Sequence, residues 1–428
     1  MSRWSRITGM LVTFLAAVAV SAFAALFAFG FRRSIRYLLE YFGGDHRSTA
    51  VSQSTSPLLV FAIVTGGLLL ASWLGRLASS WRHQRLGLLS IAEATLGVGD
   101  GPSLSGTLVR TSGTWVAMAS LASLGREATI LEVGGSFGSW LSRKINRPPA
   151  DLAVTGVAAA FAAVYHAPIG GFLYVREHVV NQPKLRTAGS ALAGGVLGWV
   201  ISMRFLGGGP VFERGFAPLG VDSFVHAAVG LVPALVATRL FFTVRQRILP
   251  AQLPMAATVH TWVRSALFAA LGGLTIALVP LASGNGMDAI SKGVTGATIG
   301  LGLALCFGKI VATTASLAAG APGGAFSPSM AVAAGAALLA FEALDKLGIP
   351  LSGSHWDGML AAMSVGIAVG IQAPLVGIVV VAELAGDVRL VPVCALSVLG
   401  ARAIQLAVDK IGVARSAGLL VPDEPLDA

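Results

Sequence analysis

The sequence predicts an all-α polytopic membrane protein, and three observations lead to that fold class. Only 12% of the 428 residues are charged, 55% are hydrophobic, and the mean hydropathy is +0.77. A soluble domain needs more polar surface than this to cover its core. Several stretches longer than 20 residues contain no Asp, Glu, Lys or Arg, and a membrane-spanning helix needs about 20 apolar residues. Glycine clusters interrupt these stretches, so we expect a bundle of many tilted and broken helices.

The predicted spans are apolar stretches of two lengths. The long uncharged ones cover 7–31, 152–175, 265–287, 310–341 and 358–382, and shorter ones lie near 57–75, 187–203, 223–238 and 390–401. The first stretch follows Arg3 and Arg6, as a signal peptide would, but its 25 residues exceed the apolar region of about 7–15 that signal peptides have. We therefore expect it to be retained as a helix.

The net charge of +10 is concentrated beside the apolar stretches. Arg32, Arg33 and Arg36 form one such group, and Arg143, Lys144 and Arg147 form another. This pattern indicates positive-inside topology and contact with anionic lipid, not nucleic-acid binding. Cys306 and Cys394 both lie inside apolar stretches and are expected to be buried thiols, so the sequence predicts neither a disulfide nor a metal site, and no cofactor.

Four glycine-rich segments interrupt or begin apolar stretches. They read G-V-G-D-G-P (97–102), G-G-G-P (207–210), S-G-N-G (283–286) and A-P-G-G-A-F-S-P (321–328). The last segment lies in the middle of 310–341, which we therefore predict to be two half-helices. The free amides at the start of a half-helix can bind an anion.

An internal repeat relates the two halves of the chain. Residues 167–177 read A-P-I-G-G-F-L-Y-V-R-E, and 373–383 read A-P-L-V-G-I-V-V-V-A-E, so Ala, Pro, Gly and Glu recur 206 positions apart. G-D-G-P (99–102) and G-N-G-M (284–287) form a weaker pair. Matched, glycine-interrupted halves are typical of transporters with inverted repeats. We expect residues 1–428 to be a single transmembrane domain with halves near 57–207 and 220–415, and no soluble C-terminal domain.

Two motifs resemble one known family. Residues 123–140 read S-L-G-R-E-A-T-I-L-E-V-G-G-S-F-G-S-W, and 308–329 contain G-A-F-S-P. They are similar to the G-R-E-G-P and G-x-F-x-P segments of the CLC chloride channels and chloride/proton antiporters. The resemblance implies a homodimer with one anion path per subunit, two antiparallel halves and cytoplasmic termini. The expected lack of large soluble domains fits a bacterial inner membrane.

The resemblance also implies the site. Glu127 matches the gating glutamate, whose carboxylate occupies an anion position until protonation releases it. The alternatives are a salt bridge with Arg126 or a carboxylate stabilised at a helix start. The expected anion-binding positions are Gly125, Arg126, Gly324, Ala325, Phe326 and Ser327. Backbone amides suit this task because a full cation would hold the ion too tightly.

The chain departs from the family pattern at several positions. Ala128 and Thr129 replace the Gly-Pro that follows the glutamate. The family's G-S-G-I-P matches G-V-G-D-G-P here, which puts Val98 or Asp100 in place of the serine that contacts the central anion. Asp100 at that point is expected to cap the following helix rather than face the ion.

The chain also differs from the family at two further positions: the C-terminal tyrosine that contacts the central anion, and the inner glutamate of proton-coupled members. The four tyrosines all precede residue 175, and Arg415 takes the position of the family's C-terminal tyrosine. Glu177 and His178 replace the glutamate pair of proton-coupled members. Imidazole titrates near pH 6.5 and could relay protons. The other interpretation of His178 is a histidine at the cytoplasmic end of a helix.

The predicted function is transmembrane transport of chloride, in exchange for protons, with Glu127 as the gate. The alternatives are a passive voltage- or pH-gated chloride channel, a fluoride- or nitrate-preferring variant, and a non-transporting receptor or scaffold. The sequence contains no H-E-x-x-H, G-x-S-x-G or nucleotide-binding motif and no evident carboxylate pair at metal spacing, so an enzyme is not expected.

Overall fold

The computed structural model describes residues 3–80, 87–99, 101–180, 184–207, 209–212, 219–249, 259–296 and 298–418. Among these, the side chains of 3–7, 294–295 and 410–418 are left out of the description. The helices are α1 (Arg3–Gly43), α2 (Ser48–Ser54), α3 (Pro57–Ser80), α4 (Leu88–Thr95), α5 (Leu104–Ala119), α6 (Glu127–Lys144), α7 (Pro149–Tyr165), α8 (Pro168–Tyr174), α9 (Leu185–Phe205), α10 (Val221–Ile248), α11 (Val259–Leu278), α12 (Met287–Thr295), α13 (Ile299–Leu303), α14 (Lys309–Ala318), α15 (Phe326–Lys346), α16 (His355–Gly370), α17 (Pro374–Leu384) and α18 (Val391–Gly418).

Short irregular turns extend some of these helices. Val175–Val179 and Ala304–Gly308 are π-helical, and Pro280–Ala282 and Val388–Leu390 are 3₁₀-helical. Within the described part of the chain, eight helical segments are long and apolar enough to cross a membrane, judged by length and composition.

The long uncharged stretches are mostly broken, as their glycines and prolines predict. The stretch 310–341 divides into α14 and α15, which confirms the predicted half-helices. The stretches 152–175 and 358–382 each divide before an Ala-Pro pair, and in 265–287 α11 ends at Leu278. Proline is favoured in the first turn of a helix and disfavours helical backbone in the residue before it, so it fixes where the second segment begins.

The backbone shows the 206-residue repeat directly. His166 and Gln372 both adopt the left-handed conformation, each with φ 55°. The alanines that follow them have nearly the same angles, φ −117°, ψ 82° at Ala167 and φ −126°, ψ 84° at Ala373. The repeat found in the sequence is therefore a repeat of backbone geometry.

The glutamate of each repeat segment accepts hydrogen bonds from the helix that begins the other segment. Glu383, on α17, accepts hydrogen bonds from the amides of Ile169 (3.0 Å) and Gly170 (2.8 Å) at the start of α8. Glu177, after α8, accepts one from the amide of Val376 (3.0 Å) at the start of α17. Each glutamate thus stabilises the helix N-terminus of the other copy.

A second correspondence has an offset of 199 residues. Gly87 (φ 90°) precedes α4, and Gly286 (φ 99°) precedes α12. Gly125 before α6 corresponds to Gly324 before α15 with the same offset. The predicted pairing of 99–102 with 284–287 has another offset, 185 residues, and it stays a prediction.

The helices pack closely through small residues. A Cβ on Gly156 of α7 would lie 2.0 Å from the carbonyl oxygen of Gly134 on α6, so these two helices touch backbone to backbone. The long α1 packs against α7 and α9, with Val20, Ala24 and Ala25 buried. The first apolar stretch is thus part of the folded bundle.

Candidate functional site

Two loops meet where α6 and α15 begin. The amide of Gly125 donates to the carbonyl of Gly324 (2.8 Å), and the amide of Gly324 donates to the carbonyl of Gly125 (2.7 Å). This isolated antiparallel bridge places two helix N-termini side by side. Both amides are already satisfied, which corrects the expectation that Gly125 and Gly324 offer their N–H groups to an ion. Their role is to join the two helix starts.

Glu127 lies at this junction and is 2% exposed. Its Oε1 accepts hydrogen bonds from Ser327 Oγ (2.5 Å) and Asn285 Nδ2 (3.3 Å). Its Oε2 is buried without a hydrogen-bond partner among the described residues. The carboxylate is in the first turn of α6, where the helix dipole favours negative charge.

The remaining predicted positions lie around this carboxylate. Ala325 is the N-cap of α15, and Phe326 and Ser327 begin its first turn, where amides have no acceptor within the helix. Arg126 is the N-cap of α6, and its guanidinium is half-buried. The structure therefore leaves the amides near 325–327, not those of the two bridging glycines, as free donors.

Asn285 is a site residue that the sequence analysis missed. It belongs to S-G-N-G (283–286), and a buried lysine holds this loop. Lys309 Nζ donates to the carbonyls of Ala282 (3.0 Å), Ser283 (3.3 Å) and Gly284 (2.5 Å), and Lys309 is fully buried. A buried lysine in an apolar stretch was the available signal for this contact.

Tyr165 brings a phenol to the site. Its hydroxyl shares a hydrogen bond of 3.0 Å with Ser327 Oγ. Because that serine hydroxyl donates to Glu127, the chain Tyr165–Ser327–Glu127 runs in one direction. The sequence analysis found no tyrosine in the C-terminal half of the chain. The tyrosine hydroxyl that contacts Ser327 comes from the end of α7.

An aromatic cluster continues from the site toward the turn after α8. Phe161 packs against Tyr165 and Tyr174 with ring centroids 4.9 Å apart in both pairs, and Phe326 packs on all three rings. Tyr174 is 5.0 Å from the ring of His178, which is exposed and has Nδ1 3.1 Å from the carbonyl of Ile371.

Glu177 and His178 therefore have different environments. The carboxylate of Glu177 is bound to the amide of Val376, whereas His178 is at an exposed end of the aromatic cluster.

Among the residues predicted for the central site, the structure describes the side chain of Val98. Val98 is 52% exposed on the connection between α4 and α5. Asp100 is outside the described residues, and so is the side chain of Arg415 on α18. Ser103 is the N-cap of α5, and its hydroxyl accepts a hydrogen bond from the amide of Gly106 (3.3 Å).

A buried ion pair links α5 and α6 five residues after Glu127. Arg110 donates to both carboxylate oxygens of Glu132, which is 3% exposed. Glu132 also lies near Gly87 before α4, since its Oε1 is 4.0 Å from the position that a Cβ on Gly87 would occupy. A paired charge at this depth satisfies a group that would be costly alone.

Two carboxylates at the end of α15 lie close to His355. His355 Nδ1 is 3.9 Å from Glu342, and His355 Nε2 is 3.4 Å from Asp345. The sequence analysis did not find this pair of carboxylates. They approach different ring nitrogens of His355.

The chain was compared with known families and proteins. Residues 67–406 match the voltage gated chloride channel family. A putative chloride channel protein ClcB-like of Ralstonia nicotianae is 28% identical over 379 residues, covering 84% of this chain and 86% of the relative. An H(+)/Cl(-) exchange transporter ClcA of Klebsiella pneumoniae is 27% identical over 293 residues, covering 65% of this chain but only 61% of the exchanger.

Two solved structures have the same architecture. A slow cyanobacterial Cl-/H+ antiporter matches with a TM-score of 0.74 and 20% identity over 92% of this chain and 94% of that chain. A CLC-type fluoride/proton antiporter matches with a TM-score of 0.66 and 17% identity over 93% and 96%. At these identities the likeness concerns the fold, and it confirms the predicted all-helical membrane architecture.

Proposed function

This chain belongs to the voltage gated chloride channel family, the CLC family of anion transport proteins, and we propose that it exchanges chloride for protons with Glu127 as the gate. The observation that carries the proposal is the position of the Glu127 carboxylate. It lies where the N-termini of α6 and α15 meet, held by Ser327 and Asn285. A negative group is stabilised there by the same donors that would stabilise an anion.

Protonation supplies the gating step in this proposal. A neutral carboxyl group loses most of its attraction to the two helix N-termini and becomes a weaker acceptor for Ser327 and Asn285. The side chain can then leave, and an anion takes its place against Ser327 and the amides near 325–327. Movement of the proton that Glu127 carries is thereby coupled to movement of the anion that replaces its side chain.

An inner route for protons is supported by the aromatic cluster. The Tyr165 hydroxyl contacts Ser327, and Tyr174 lies between Phe161 and the exposed His178. The phenol groups do not form a continuous chain of hydrogen bonds, so water has to complete the path. We assign the inner relay to His178, because Glu177 is used as a helix cap.

The decisive experiment uses the purified protein in liposomes. Chloride efflux and internal pH are followed together, with and without an uncoupler, for the wild type, Glu127→Gln and Glu127→Ala. Coupled exchange is expected to drive protons uphill along a chloride gradient in the wild type. Proton movement should be lost in both variants, because neither side chain can carry a proton.

Other results would redirect the proposal. Chloride flux without proton movement in the wild type indicates a passive channel. Flux of fluoride or nitrate without chloride flux indicates a variant with another anion preference. No flux of any of the three anions contradicts the transport proposal itself.

We further propose that the protein is a homodimer in a bacterial inner membrane with cytoplasmic termini. Light scattering of the detergent-solubilised protein tests the first part, since the protein mass should be twice 43.6 kDa. A protein mass of one chain that does not change with concentration would contradict the dimer.

A further inference from the structure

Three side chains that can ligate a metal ion meet where α15 ends and α16 begins. Glu342 and Asp345 are three residues apart in the last turns of α15, so their carboxylates lie on one face of that helix. His355 is the first residue of α16. One ligand atom of each residue lies within 4.8 Å of the ligand atoms of the other two. The proposed transport mechanism uses none of these three residues.

The three side chains are fixed by helices and remain open to water. The two helices pack against each other, and Ser354 is the N-cap of α16, where its hydroxyl accepts a hydrogen bond from a backbone amide of the first turn. The side chains of His355, Glu342 and Asp345 are 16%, 21% and 37% exposed, and residues 346–350 of the connection are exposed. A dissolved cation can therefore reach ligands that the fold already holds together.

The charge of this triad is not balanced by the protein. Among the residues that the structure describes, Glu342 and Asp345 form ion pairs with His355 and with no lysine or arginine, including Lys346 at the end of α15. The triad carries two negative charges when His355 is neutral, and one remains when it is protonated. Both carboxylates also lie near the C-terminus of a helix, where the dipole disfavours negative charge. A divalent cation bound to neutral imidazole brings the net charge to zero.

A separate observation is a buried lone pair beside the triad. His226 of α10 is fully buried, and its Nδ1 is 2.8 Å from the carbonyl of Asp222, one turn earlier. A carbonyl only accepts, so Nδ1 carries the proton and Nε2 has a free lone pair, which has no partner within the described part of the chain. The two ring nitrogens point in nearly opposite directions, so Nε2 faces away from that carbonyl. The ring centroid is 5.4 Å from that of His355.

We propose that Glu342, Asp345 and His355 form a binding site for a divalent transition metal ion such as Zn²⁺, with His226 Nε2 as the fourth ligand. Neutral imidazole and carboxylate are both zinc ligands, and bonds of about 2.0–2.2 Å place the ligand atoms of a tetrahedral site about 3.3 Å apart. Asp345 is already 3.4 Å from His355 Nε2, and rotation of the Glu342 side chain brings its carboxylate to the same ion. The bound metal joins the end of α15 to α16 and α10.

The test is calorimetric titration of ZnCl₂ into the full-length protein in detergent, purified without a histidine tag and freed of metal with EDTA. We expect one equivalent of Zn²⁺ to bind per chain. The melting temperature should rise with Zn²⁺ concentration, because the ion binds the folded chain. Mg²⁺ should bind much more weakly, because it requires oxygen ligands in an octahedral arrangement.

Matched substitutions identify the ligands. His355→Gln should weaken Zn²⁺ binding by at least about 10-fold, since even the loss of a group that only orients a metal ligand costs about 10- to 100-fold. His260→Gln removes an exposed imidazole on α11, outside the cluster, and should leave the Kd unchanged. Asp345→Asn, at a partly exposed position, should fold even if His355→Gln does not, and should weaken binding to a similar extent. His226→Phe keeps an aromatic ring in the core and should also weaken binding.

These outcomes decide the proposal without any measurement of transport. Zn²⁺ binding that is weakened in His355→Gln and Asp345→Asn but kept in His260→Gln supports the site. The absence of binding by the wild type overturns it, and so does equal binding by the wild type and His355→Gln, which would show an acidic surface only. Unchanged affinity in His226→Phe overturns the role of His226. The transport proposal is unaffected by each of these results.

Discussion

Glu127 has the two properties that a gating carboxylate needs. It is buried, and its hydrogen-bond donors could serve an anion equally well. Ser327 comes from the first turn of α15, and Asn285 comes from the loop before α12. One oxygen, Oε2, has no partner among the described residues, so the carboxylate is not locked in place. A salt bridge between Glu127 and Arg126, the structural alternative suggested by the sequence, is not formed among the described contacts.

Gly125 sets the position of that carboxylate. A Cβ there would lie 2.5 Å from Glu127 Oε2 and 2.9 Å from the carbonyl oxygen of Gly324. We expect Gly125→Ala to displace Glu127, with an overpacking cost of about 1–3 kcal/mol, and to weaken proton coupling measured as the proton-to-chloride flux ratio. Gly324→Ala is the matched control, because its nearest contact would be Ala128 Cβ at 3.3 Å. Equal effects of the two substitutions would contradict this assignment.

Tyr165 tests the inner side of the site. Phenylalanine keeps the packing with Phe161 and Phe326 and removes only the hydroxyl that bonds Ser327. We expect Tyr165→Phe to weaken chloride binding by about 1 kcal/mol, roughly fivefold in Kd, as seen by calorimetry. Tyr174→Phe removes the hydroxyl of another ring in the aromatic cluster and should have a smaller effect on Kd. An unchanged Kd for Tyr165→Phe would remove the phenol from the anion site.

At the scale of elements, the crossed caps join the two halves. Glu383 binds the start of α8, and Glu177 binds the start of α17. We expect Glu383→Gln to lower stability by about 1–2 kcal/mol, because it exchanges two charge-assisted hydrogen bonds for weaker ones. Glu40→Gln on the exposed side of α1 is the control. Thermal unfolding in detergent measures both, and equal melting temperatures would mean that the caps contribute little.

The pair of Arg110 and Glu132 is a stronger link between elements. Removing one partner leaves a buried charge, so we expect Glu132→Ala to cost about 3–5 kcal/mol. The double variant Arg110→Leu/Glu132→Leu should recover most of that loss, because it removes both charges. The measurement is again thermal unfolding, combined with chloride flux. A double variant that is no more stable than Glu132→Ala would show that the loss is one of packing.

At the scale of the whole molecule, we expect His178 and the cavity that Glu127, Arg36 and His166 line to be at opposite ends of the path. His166 lines the cavity, and α8 separates it from His178, which lies in the π-helical turn after α8. In oriented vesicles, a membrane-impermeant maleimide should label Arg36→Cys from one side and His178→Cys from the other. The native Cys306 and Cys394 are buried and should give little background. Labelling of both from the same side would contradict the proposed path.

The sequence alone determined the membrane class, the broken helices and the repeat. These features depend on local composition: uncharged stretches, prolines that start helices, and glycines that interrupt them. The Ala-Pro pairs marked the divisions at 166 and 372 because proline restricts the residue before it and pre-forms the first helical turn. The G-R-E and G-A-F-S-P motifs also located the two helix starts at the site.

Only the tertiary structure decided how the site is closed. Ser327 and Asn285 are 200 and 158 residues from Glu127 along the chain. The loop that carries Asn285 is held in turn by Lys309, which belongs to another helix. Arg32 and Arg126 are 94 residues apart and line the same cavity as Glu127. In a bundle whose helices are apolar on every side, hydrophobic periodicity does not show which faces meet. The partner of each polar group is therefore set by packing between distant segments, and that information is absent from any local stretch of the chain.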